Sequence, residues 1–102
     1  MPKYEVVFTS EASEDLDHIK KYYARQITSH IEEILEHRPE EVTRSTVKKL
    51  KGFESLYRLR EGEYRVFYQV KADGVTTLRI LSKDKEEEFY KEARGYEDDS
   101  NI

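Results

Sequence analysis

Residues 56–71 read Leu56-Tyr57-Arg58-Leu59-Arg60-Glu61-Gly62-Glu63-Tyr64-Arg65-Val66-Phe67-Tyr68-Gln69-Val70-Lys71. On either side of Glu61-Gly62-Glu63 the residues alternate with a period of two, which predicts two strands joined by a short turn. Ala72-Asp73-Gly74 supplies a second turn, since Asp-Gly favours tight hairpins. Val75-Thr76-Thr77-Leu78-Arg79-Ile80-Leu81 then resumes the extended pattern. Residues 56–81 are therefore expected to form a three-strand antiparallel meander.

The flanks have a different rhythm. Residues 3–9, Lys-Tyr-Glu-Val-Val-Phe-Thr, are β-branched and aromatic and predict an N-terminal strand. Thr9 or Ser10 is placed to cap a helix. Ala12, Leu16, Ile19 and Tyr23 recur at helical spacing and predict that helix over about 11–25. A second apolar series, Ile27, Ile31, Ile34 and Leu35, ends before Pro39. Thr28 or Ser29 caps it, or the two series join into one long or kinked helix; the pattern is that of an αα-hairpin. In 42–51 only Val47 and Leu50 stand out as anchors. Residues 84–94 predict a last helix with Phe89, Tyr90 and Ala93 on its apolar side and Gly95 as its stop. The order β-α-α-β-β-β-α defines an α+β fold, a single domain over 1–95, with 96–102 an acidic, disordered tail.

Composition narrows the function. The chain has 102 residues, too few for two ordinary domains. No apolar run approaches the ~18 residues of a membrane span. Met-Pro-Lys-Tyr-Glu at the N-terminus has no apolar signal core, so a cytoplasmic location with no membrane partner is expected. Cysteine is absent, and His18, His30 and His37 lack ligand spacing, so neither metal nor cofactor is expected.

The net charge of -4 argues at first against nucleic acid. Its distribution does not. Residues 44–71 carry 8 basic and 3 acidic side chains, net +5, whereas 1–43 and 84–102 each stand at -5. A basic block between acidic ends is a candidate anion site. Period two places Arg58 and Arg60 on one strand face with Leu56, and Leu59 on the other. Arg65 lies just across the turn, with Arg79 or Lys83 near on the third strand. Converging guanidiniums grip phosphate bidentately, tyrosine rings stack on bases, and Lys48, Lys49 and Lys51 would steer an RNA backbone.

Three runs carry a resemblance: Lys49-Leu50-Lys51-Gly52, Tyr57-Arg58-Leu59-Arg60, and Tyr64-Arg65-Val66-Phe67-Tyr68-Gln69-Val70. Together they resemble the core of the RelE/ParE superfamily of bacterial toxins. The layout is similar over about 3–94, its specific part being 49–70. The resemblance implies a toxin neutralised by a cognate antitoxin. In the RelE branch it implies a metal-independent endoribonuclease that cuts messenger RNA in the ribosomal A site and so inhibits translation. There a ribose 2′-hydroxyl attacks the next phosphate. Carried over by position, Arg65 holds the scissile phosphate and Arg58 and Arg60 stand where RelE has lysines. Lys83 or Lys85 falls near a loop arginine, and Tyr90 matches a helix tyrosine that orients the substrate.

The departures are specific. Arginine is a poor general base, whereas a crowded lysine sheds its proton. Lys83-Asp84-Lys85 lacks a bidentate fork, and Glu86-Glu87-Glu88 places three carboxylates beside the expected site. These features leave open the ParE branch, which poisons DNA gyrase without RNase residues, and a non-catalytic relative that binds only its antitoxin.

Overall fold

A computed structural model describes residues 3–72 and 74–99, with the side chains of residues 98 and 99 left out. Five strands, β1 (Glu5–Phe8), β2 (Val47–Lys49), β3 (Leu56–Glu61), β4 (Tyr64–Lys71) and β5 (Gly74–Ser82), form one sheet in the order β1-β5-β4-β3-β2. The expected meander is β3-β4-β5, antiparallel throughout. Gly62 makes the first turn, and its φ of +57° lies in the left-handed region that favours glycine. In the second turn Asp73 lies outside the described residues.

Two strands complete the sheet. β1 pairs in parallel with β5, and β2 pairs antiparallel with β3. β2 was not expected, because three residues with one buried side chain, Val47, give no period.

The helices also differ from the expected boundaries. α1 (Ser10–Asp17) and α2 (Lys21–His30) are separated at 18–20, not near residue 26. Thr9 caps α1 by accepting a hydrogen bond from the Ala12 N–H. The break is a tight one: His18 N–H donates to Asp15 O, Ile19 N–H donates to Leu16 O, and Lys20 turns extended. So short a break preserves the apolar spacing and leaves no trace in periodicity. α2 runs on into a π-helical turn, Ile31–Leu35, with both of those residues buried. After a 3₁₀ turn, Lys83–Lys85, α3 (Glu86–Asp99) passes through Gly95. The helix thus extends over 96–99, where a tail was expected; residues 100–102 lie outside the described residues. Tertiary contacts outweigh the glycine. Tyr96 stacks on Phe89 with centroids 5.9 Å apart, and the Glu97 carboxylate accepts hydrogen bonds from Ser55 N–H, Ser55 Oγ and Glu54 N–H.

Each sheet face has its own core. Ile27, Ile31 and Leu35 cover Tyr57, Leu59, Val66, Tyr68 and Ile80. On the other face Phe89 and Ala93 of α3 cover Leu50, Leu56, Phe67, Leu78 and Leu81. Phe67 and Phe89 stack at 4.1 Å.

The register slips by one residue in β5. Phe67 faces Arg79 while Tyr68 faces Thr77, so Leu78 is the extra residue of a β-bulge. A one-residue slip exchanges faces. It puts Arg79 on the α3 side of the sheet, where it meets Asp15 and Glu92.

Candidate functional site

Arg58 and Arg60 of β3 and Arg65 of β4 lie on the sheet face that α3 covers. Arg60 stands directly opposite Arg65, and Arg58 opposite Phe67. Arg65 is only 9% exposed. Its Nη1 donates to Gly62 O at 3.0 Å and Tyr64 O at 2.9 Å, so the β3–β4 turn fixes the guanidinium. Its pKa is held below the ordinary arginine value, first by burial and then by the neighbouring Arg58 charge, with Glu86 opposing.

The first turn of α3 packs beside these arginines. Glu86 Oε1 accepts from Arg58 Nη1 at 3.1 Å and lies 3.8 Å from Arg65 Nε. Tyr90, one helical turn on, is 40% exposed. Its phenol is raised above the usual pKa by partial burial and by the Glu86 charge, with Arg58 opposing. Arg58, Arg65, Glu86 and Tyr90 thus form one cluster with Arg60 at its margin. Arg58 Nε is buried and has no hydrogen-bond partner among the described residues.

Other expected residues stand apart. Lys83 pairs with Glu63 at 3.1 Å beside the β3–β4 turn. Lys85 lines a separate depression with Asp15, His18, Tyr64, Arg79 and Glu88. Arg79 is locked between Asp15 and Glu92. Lys48 lies opposite Arg58 and extends the cationic face, Lys49 lies opposite Tyr57, and Lys51 sits in the following turn; all three are exposed. Among the described residues no group of three His, Cys, Asp or Glu side chains is placed to hold a metal ion. None of their helices is long and apolar enough to cross a membrane.

The sequence reading put Glu86, Glu87 and Glu88 beside the site without choosing among them. The structure selects Glu86, and the i, i+4 spacing to Tyr90 is the signal that identifies it.

Three arginines and one tyrosine on the α3 side of a five-stranded sheet, under an α+β topology, define a class of small sheet-and-helix proteins with a cationic face. Comparison with known proteins makes the class specific. A family model described as the ParE toxin of type II toxin-antitoxin systems, parDE, matches residues 6–87. Toxin RelE3 of Methanocaldococcus jannaschii is 30% identical over 78 residues, covering 76% of this chain and 89% of that protein. RelE in the RelE–RelB complex of Pyrococcus horikoshii superposes with a TM-score of 0.66 at 28% identity, covering 78% of this chain and 94% of that one. A free RelE variant from E. coli gives 0.73 at 26%, covering 94% and 98%. The chain belongs to the ParE toxin family of type II toxin-antitoxin systems, within the RelE/ParE superfamily.

Proposed function

We propose that this toxin is a RelE-type endoribonuclease that cuts ribosome-bound messenger RNA and is neutralised by a cognate antitoxin. The observation that carries the reading is the convergence of Arg58, Arg60 and Arg65 beside Tyr90. Arg65, fixed by two backbone carbonyls, holds the scissile phosphate. Arg58 and Arg60 stabilise the charge that develops as the 2′-hydroxyl attacks. Tyr90 orients the base, and Lys48, Lys49 and Lys51 attract the backbone; Lys83, paired with Glu63, and Lys85, in a separate depression, have no part in the step. The antitoxin partner is supported by the P. horikoshii neighbour, whose structure is a complex with RelB.

The test is inducible expression in live cells followed by mapping of RNA ends. Growth should stop, with new ends inside translated codons, and Arg65→Ala should restore growth while staying folded. Arrest with intact messages would overturn the nuclease reading.

A second reading, inhibition of DNA gyrase, is favoured by the family model and by arginines in place of a titratable base. It predicts blocked supercoiling that Arg65→Ala leaves in place.

A further inference from the structure

The arginine cluster already contains an anion. One oxygen of Glu86 serves both Arg58 and Arg65, at 3.1 and 3.8 Å. The arrangement is incomplete. The longer distance exceeds hydrogen-bond range. Glu86 leaves Arg58 Nε buried and without a partner among the described residues. It also leaves Arg60, opposite Arg65, without a described ion pair. Two side chains that prefer bidentate acceptors therefore share a single carboxylate oxygen. A phosphodiester has two free oxygens and its own negative charge, so it satisfies the same donors more fully.

We propose that Glu86 is a specificity-determining residue: it occupies the phosphate position between Arg58 and Arg65, and an RNA phosphate binds by evicting it. This rests on the reading of the cleft as an RNA site and deepens it. The eviction step lowers intrinsic affinity for isolated RNA. Substrates held by additional contacts, such as a message presented on a larger particle, overcome the competition, whereas free phosphates do not. The contacts recorded for the Glu86 side chain are those to Arg58 and Arg65, so these are what an incoming phosphate must replace. Arg65 keeps its orientation because Gly62 O and Tyr64 O hold it independently.

The experiment compares Glu86→Gln with Glu87→Gln, which makes the same change in net charge at an exposed neighbouring position. Two probes are used: a 2′-O-methyl oligoribonucleotide followed by fluorescence anisotropy, and pyrophosphate followed through arginine Nε–H resonances. Glu86→Gln should bind both about tenfold more tightly than the wild type, since a like charge leaves the anion's immediate neighbourhood. Glu87→Gln should change little. Equal affinities for the two variants overturn the proposal. Loss of RNA cleavage by Glu86→Gln without tighter binding also overturns it and makes Glu86 a proton acceptor instead. A purely structural ion pair is separated by the sign of the effect, because losing one weakens binding. If pyrophosphate binding rises while messages stay intact in cells, the nuclease reading fails and the role of Glu86 stands.

Discussion

Arg60 and Arg65 face each other directly across β3 and β4, two like charges in one cross-strand pair. Like charges directly opposite destabilise a sheet, on the scale of the roughly 0.2–1 kcal/mol that a favourable cross-strand pair contributes. Arg65 is the buried partner and Arg60 the exposed one. Arg60→Gln should therefore raise the unfolding free energy read from urea denaturation by an amount in that range and weaken RNA binding at the same time. Stability that falls, or binding that is unaltered, would show that Arg60 neither crowds Arg65 nor contributes to the cleft.

Asp15 joins three elements. Its carboxylate accepts from Arg79 Nε at 2.7 Å, from Arg79 Nη2 at 3.0 Å and from the Ile80 N–H at 2.9 Å. It thereby ties α1 to β5, and Arg79 continues the link to Glu92 of α3. Removing one partner of a poorly solvated pair leaves the other uncompensated. Asp15→Asn should cost about 2–3 kcal/mol, read as a lower urea midpoint with an unaltered m-value. The arginine cleft should persist, because Asp15 does not touch it.

Tyr68 is fully buried, and its hydroxyl donates to Pro39 O at 2.6 Å. Burial raises its pKa well above that of a free phenol, with Tyr57 and Glu40 adding to the effect. In an alkaline titration followed by ultraviolet absorbance, Tyr68 should stay protonated until the fold opens. Tyr68→Phe removes the donor and strands a carbonyl, a loss of about 1–2 kcal/mol.

Glu97 gives the fold an acid-sensitive anchor. Burial pushes its carboxyl up, but hydrogen bonds from the Ser55 side chain and from the Ser55 and Glu54 backbone N–H groups outweigh this. The net pKa lies below the usual 4.5. The unfolded chain therefore takes up the proton first. The stabilisation is complete above that ordinary value and is lost as pH falls through the lower folded value. Denaturation midpoints recorded between about pH 6 and 3 should lose less in Glu97→Gln than in the wild type. Identical profiles would remove Glu97 as the source.

The meander and its arginines were legible because strict alternation leaves a strong signal in a strand pair. The three arginines on one face follow from period two and a short turn alone. What escaped has physical reasons. The bulge at Leu78 changes the face of Arg79, and no local pattern records a slip decided by packing. The break at 18–20 sits within one helical turn of continuous apolar spacing. Gly95 read as a stop because local propensity ignores the stacking of Tyr96 on Phe89. At the site, the acidic run was visible, and the i, i+4 spacing to Tyr90 was the one signal in it that sets Glu86 apart from its neighbours.

The parallel pairing of β1 with β5 bears on the order in which the toxin becomes functional during synthesis. Val6 finds its place beside Val75 and Phe8 beside Thr77, so the first strand made waits for the last. Long-range pairings of this kind are slow to form, and an emerging chain holds its early strand unpaired until the meander exists. The α3 residues Glu86 and Tyr90, which lie beside the arginines, follow later still. The sheet therefore cannot close until the chain is made through β5, and the arginine face has its α3 side only after that.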